Sequence, residues 1–145
     1  MSANLETTAK RFLKLASRLR HLELENFPPE GMQTSPSHLA LIEYTANNPN
    51  CGVQELAEAL KLSTPTLSVS VRQLEKSGLI ARKPDPTDGR AVQLSLTSKG
   101  EEIHQSARSF HRLKFEKLLS GLKPQERENL VNLLEKALNA IENKS

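Results

Sequence analysis

The run from Gln54 to Gly100, QELAEALKLSTPTLSVSVRQLEKSGLIARKPDPTDGRAVQLSLTSKG, constrains the fold more than any other part of the chain, because its apolar spacing changes from a helical to a strand period. Gln54 to Leu60 places Leu56, Ala57 and Leu60 on one face of a short helix, with Ala57 small enough to let a second helix approach. Lys61-Leu62-Ser63 is the turn. Thr64 or Ser63 can cap the next helix, and Pro65 fits its first turn, where an amide proton would have no intrahelical partner. That helix is expected over about Pro65–Ser77, with Leu67, Val71 and Leu74 facing the core and Gly78 as its stop. Two strands follow, Leu79–Lys83 and Ala91–Leu96; in the second, Val92, Leu94 and Leu96 alternate with Gln93 and Ser95. Pro84-Asp85-Pro86-Thr87-Asp88-Gly89-Arg90 joins them through a sharp Asp-Gly turn.

A helix pair followed by a β-ribbon is the layout of a winged helix-turn-helix, which sets its second helix in the DNA major groove. At about 100° per residue, the face of 65–77 opposite the core carries Pro65, Val69, Arg72, Gln73 and Lys76, flanked by Thr66 and Ser68. Gln73 suits an adenine edge, Arg72 a guanine edge, and Val69 a thymine methyl. Thr64, Thr66 and Ser68 suit phosphates near the helix start, and Ser63, Arg82 and Lys83 complete the candidate surface. Arg90, just past the wing tip, could enter a narrow minor groove with Asp88 bracing its guanidinium. The bland alternative is a solvated face and a surface turn with an incidental ion pair.

Charge agrees in distribution rather than total. The net charge is +3, and residues 61–90 alone carry six bases against three acids, whereas 31–60 carry three acids and no Lys or Arg. Local basicity favours a polyanion because each neutralised phosphate releases counterions. With four Phe, one Tyr and no Trp, the chain lacks the stacking platforms of single-strand binders, which points to a duplex.

Long amphipathic helices flank this lobe. The first is expected over about Leu5–Glu25, on Leu5, Ala9, Phe12, Ala16 and Leu19, and ends at Phe27-Pro28-Pro29. Ser35-Pro36 reads as the cap and first turn of a second helix to about Ala46. Thr97 or Ser98 starts a long helix, Ser98-Lys99-Gly100-Glu101 having capping-box spacing, and a stop falls near Gly121. Pro124 opens a last helix with a stripe of Leu130, Leu134, Ala137, Leu138 and Ile141. The expected class is mainly α with a small β-wing (α+β), a single domain over 1–145. In it, 35–96 forms the winged helix-turn-helix DNA-binding lobe, and 1–30 with 97–145 forms a helical dimerisation lobe. So few helices make a meagre core, so pairing with a second copy is the expected way to bury the rest.

At ELAEAL, at LEKSGLIAR and above all at Asp88-Gly89-Arg90-Ala91-Val92-Gln93-Leu94-Ser95-Leu96-Thr97, the chain resembles the MarR family of winged-helix transcriptional regulators. The last run matches the family's D-x-R-x5-L-T wing pattern, and Gly100 follows where a glycine is usual. The specific part covers about a third of the chain, and the total length and flanking helices agree. The resemblance implies a homodimer held by its terminal helices, with each recognition helix in a major groove and each wing over a minor groove. It also implies a repressor released by a small, often aromatic or anionic, effector. Phe27, His38, Ile42 and Tyr44 are candidates to line the effector pocket, with plain packing as the alternative. Some relatives sense oxidants through an N-terminal cysteine. This chain has none there, and Cys51 reads as an inert buried thiol. His21, His38, His104 and His111 are too scattered for a metal site.

No catalytic motif of the P-loop, GxGxxG, HExxH or GxSxG kind is present, so neither an enzyme nor a cofactor is expected. The longest apolar run, Leu39–Ile42, is far too short to cross a bilayer, and the N-terminus lacks a secretion signal. With a single cysteine, a cytoplasmic setting follows as the expectation. The rival reading is a winged-helix module that binds protein rather than DNA; the polar, basic outer face of 65–77 speaks against it.

Overall fold

The structure, a computed structural model, describes residues 4–32, 34–87 and 91–143. In chain order the elements are α1 (Leu5–Leu24), α2 (Pro36–Asn47), β1 (Cys51–Gly52), α3 (Val53–Leu60), α4 (Thr64–Lys76), β2 (Ile80–Pro84), β3 (Val92–Leu96), α5 (Ser98–Leu119) and α6 (Pro124–Glu142). The class is the expected one, helical with a small antiparallel sheet. The chain divides into two compact units, Leu24–Phe110 and Met1–Glu23 with His111–Ser145.

The unit Leu24–Phe110 holds the core. Leu39, Leu41 and Ile42 of α2, Leu56 and Ala57 of α3, and Leu67, Val71 and Leu74 of α4 are buried together with Cys51, Leu79, Ile80 and Leu94. Short-range chemistry sets the helix ends around this cluster. The Ser35 hydroxyl accepts from the His38 amide at 3.2 Å and starts α2. Lys61 adopts a left-handed φ of 56°, which lets the Leu62 amide donate to Ala57 O at 2.9 Å and closes α3. Ser63, not Thr64, caps α4, accepting from the Thr66 amide at 3.2 Å. Gly78, at φ 78°, turns the chain so that the Leu79 amide donates to Leu74 O at 2.9 Å.

The sheet has the order β1-β3-β2, antiparallel throughout. Cys51 pairs with Leu94, and β2 pairs with β3 from Ile80↔Leu96 to Pro84↔Val92. Pro84 is tolerated because β2 is an edge strand. In β3 only Leu94 is fully buried, so its expected alternation is muted.

Of the two expected starts of α5, Thr97 is the cap: its hydroxyl accepts from the Gly100 amide at 3.1 Å and donates to Gly78 O at 2.5 Å. A single side chain therefore fastens the start of α5 to the end of α4. The capping-box glutamate has no place here, because the third residue after Thr97 is Gly100. There a Cβ would collide with Leu79 O, so the close approach of two backbones demands glycine.

In the other unit, the Lys114 ammonium donates to Leu22 O at 2.9 Å and Glu23 O at 3.0 Å, a cation placed on the carbonyl end of α1. Glu126 accepts from the Lys123 amide at 2.8 Å and begins α6. Among the described residues of this unit none is buried. Phe12, Leu15, Leu19 and Leu22 of α1, Phe115 and Leu118 of α5, and Leu130, Val131 and Leu134 of α6 line an open groove of about 800 Å³ with Arg18 at its edge. Of the expected α6 stripe only Leu134 is half-buried; Leu130, Ala137, Leu138 and Ile141 are exposed.

Candidate nucleic-acid interface

The α4 helix is two-faced in the way its spacing predicts. Leu67, Val71 and Leu74 are at most 1% exposed, while Arg72, Gln73 and Lys76 stand on the surface with Val69, which is 47% exposed. Ser68 is half-buried. Thr64 and Thr66 are exposed in the first turn, where backbone amides without helical partners point outward. The Ser63 hydroxyl donates to Thr66 Oγ1 at 2.8 Å, so the Thr66 proton is directed away from the cap. The outer face thus offers cations, an amide, hydroxyls and one β-branched methyl pair.

Two of these polar groups are held from a distance. Gln73 Oε1 lies 3.2 Å from His38 Nε2, on the first turn of α2. Arg82, on β2, donates from Nε to Glu75 Oε1 at 3.0 Å, tying the wing to α4. The remaining guanidinium protons of Arg82 stay available to a further acceptor. Lys83 is exposed beside it. Asp88 and Arg90 lie outside the described residues. Before them, Asp85 organises the base of the wing loop: its Oδ1 accepts from the Thr87 amide at 2.8 Å and the Thr87 hydroxyl at 2.7 Å, and its own amide donates to Ala91 O at 3.0 Å.

Of the four candidates for an effector pocket, Ile42 belongs to the core cluster, and Phe27 and Tyr44 pack against it. Ile42 is fully buried in the core. The Phe27 ring packs against Phe110 with centroids 5.4 Å apart. Tyr44 donates to Glu55 Oε2 at 2.8 Å, and this bond pushes the phenol pKa up. His38 faces Gln73. Burial pushes the Cys51 thiol up. Among the described residues no group of three or more His, Cys, Asp or Glu side chains could hold a metal ion.

Comparison with known proteins bears on this surface. The model of the MarR family matches residues 32–91, from before α2 into the wing. The HTH-type transcriptional regulator YkoM of Bacillus subtilis, itself uncharacterized, is 31% identical over 103 residues, covering 71% of this chain and 67% of YkoM. The HTH-type transcriptional regulator BilQ of Clostridium symbiosum is 34% identical over 98 residues, 68% of each chain. The chain belongs to the MarR family. Its fold agrees with that of FabT from Streptococcus pneumoniae, solved in complex with DNA, at a TM-score of 0.73 and 22% identity over 98% of this chain and 100% of FabT. Within this MarR-family winged helix, α3 and α4 form the helix-turn-helix, and β2 and β3 form the wing. Thr97, at the end of the wing pattern, locks the start of α5 onto the end of α4.

Two contacts of the surface escaped the sequence reading: the His38–Gln73 pair and the Glu75–Arg82 pair. The second carried a weak signal, since opposite charges seven residues apart flank a helix–strand turn. The first carried none, its partners being separated by 35 positions.

Proposed function

We propose that this MarR-family regulator binds duplex DNA in a sequence-specific manner, as a homodimer on a palindromic operator, and represses transcription by occupying it. The observation that carries the reading is the sidedness of α4: its apolar residues are sealed in the core while Arg72, Gln73 and Lys76 face solvent. Residues 35–96 read the duplex, with 65–77 in the major groove and the wing, including Arg90 and Asp88, over the minor groove. Residues 1–30 and 97–145 pair with those of a second copy. The unsealed apolar faces of α1 and α6 support that pairing, and the FabT–DNA complex supports the class of ligand. A protein-docking role fits less well, because Val69 is the only large apolar side chain on the outer face of α4. A small aromatic or anionic effector releases the repressor, with Phe27, Ile42 and Tyr44, gathered at one core cluster, and His38 of α2 as its candidate lining.

Selection of duplexes from a random pool tests the reading. The expected product is a palindrome whose two halves are centred about one helical turn apart. Recovery of no preferred duplex, with sequence-independent binding only, would overturn it.

A further inference from the structure

Gln73 is the residue of the outer face that carries both an acceptor and donors on one planar group, a carbonyl oxygen and an amide NH2. A glutamine free to rotate can present either end to a base. Here one end of the amide has a partner. His38 Nε2 lies 3.2 Å from Gln73 Oε1, and the His38 backbone is itself fixed by the Ser35 cap through its amide. The His38 side chain is half-buried, which limits its own rotation. Since Oε1 only accepts, the imidazole must donate through an Nε2 proton in this arrangement. The NH2 group is then the end left for the groove.

We propose that His38 is a positioning residue for base readout: it holds the Gln73 carbonyl inward so that the amide is presented as a donor. The inference rests on the DNA-reading role of α4 and adds to it a determinant of specificity on α2. Its chemical consequence is directional. Donors match the acceptor atoms of the major groove: O6 and N7 of guanine, N7 of adenine and O4 of thymine. The exocyclic amines of adenine and cytosine need an acceptor, and the lone pair occupied by His38 weakens that match. Gln73 therefore favours an acceptor-rich edge, guanine above all, over the two-point adenine contact expected of an unrestrained glutamine.

The test is a two-by-two comparison on the duplex that the full-length protein selects. The base pair read by Gln73 is the one whose preference disappears in Gln73→Ala. At that pair, His38→Phe removes the imidazole donor, and His38→Gln supplies an amide that can still donate. We expect His38→Phe to reduce the preference for the selected base over its alternatives about five-fold or more, a range set by one good base contact. His38→Gln is expected to restore part of it. In the Gln73→Ala background neither substitution should change base choice, since coupled residues lose their separate effects when one partner is absent. Thermal melts of all variants keep folding and readout apart. A uniform loss of affinity on every sequence would overturn the proposal, as would an effect of His38→Phe that persists in Gln73→Ala, because His38 would then touch DNA itself. Unchanged base choice in a correctly folded His38→Phe would also overturn it. These outcomes differ from failure of the DNA-reading role, in which the unsubstituted protein selects no duplex at all.

Discussion

Arg72 and Gln73 are adjacent in sequence, but among the described residues only Gln73 is anchored by another side chain, at His38. Replacing either by alanine should weaken binding to the selected duplex by roughly 1–3 kcal/mol and relax base choice at one position per half-site, as titration against single-base variants would show. Uniform losses across all variants would reassign both to phosphate contact. At Gly100 the constraint is steric. Gly100→Ala pushes a methyl against Leu79 O and should cost about 1–3 kcal/mol, read as a lowered melting temperature. Cys51 is 3% exposed and its thiol is pushed up by burial, so alkylation at pH 8 should be slow in the folded chain and fast in denaturant. Rapid labelling of the folded protein would reopen a sensing role. At this scale the sequence was legible where chemistry is local. Ser35, Pro36, Ser63 and Gly78 act on amides or dihedrals within a few residues, and their types announce it. Gly100 stood out only through family resemblance, because the Leu79 carbonyl that requires it comes from a distant turn. The choice between Thr97 and Ser98 stayed open for the same reason: the second bond of Thr97, to Gly78 O, spans 19 positions.

Among the elements, α4 was the easiest to read, because Leu67, Val71 and Leu74 follow a single helical stripe and bury on a single side. The two wing strands were placed within a residue, though β3 lacks clean alternation since only Leu94 is fully buried. What periodicity cannot supply is how elements are fastened together. The Glu75–Arg82 pair joins α4 to β2 on the very side proposed to meet DNA, and both side chains are more than a third exposed. An exposed pair of this kind contributes at most about 1 kcal/mol to stability. Its larger effect is electrostatic: Glu75 neutralises a base and repels phosphate. Glu75→Gln should therefore leave the melting temperature nearly unchanged while tightening DNA binding. The log–log salt dependence should steepen by about 0.9 if Arg82 gains a phosphate contact. A pronounced fall in melting temperature would show instead that the pair holds the wing in place.

For the whole molecule, the decisive contrast is between two units built from the same kinds of residue. The unit Leu24–Phe110 seals seven leucines in its core, Leu39, Leu41, Leu56, Leu67, Leu74, Leu79 and Leu94, whereas the helices of the other leave Leu13, Leu133 and Ile141 at 71%, 65% and 72% exposure. Burying one such side chain is worth about 1.5–3 kcal/mol, so a surface carrying many of them gains heavily from a partner of matching character. A second copy is the partner always present at equal concentration, and two-fold pairing sets two recognition helices to read a palindrome. Leu133→Glu combined with Ile141→Glu should leave the protein monomeric in sedimentation where the unsubstituted chain forms the proposed homodimer, because a carboxylate cannot enter an apolar seam without losing its hydration. The unit that reads DNA carries neither substitution, so its buried core should stay folded, with slow amide exchange in α4. Affinity for the full palindrome should then drop towards that for a single half-site, since the second half would no longer be held at high effective concentration. A variant that stays dimeric, or one that binds the palindrome with full affinity as a monomer, would move the pairing surface away from α6.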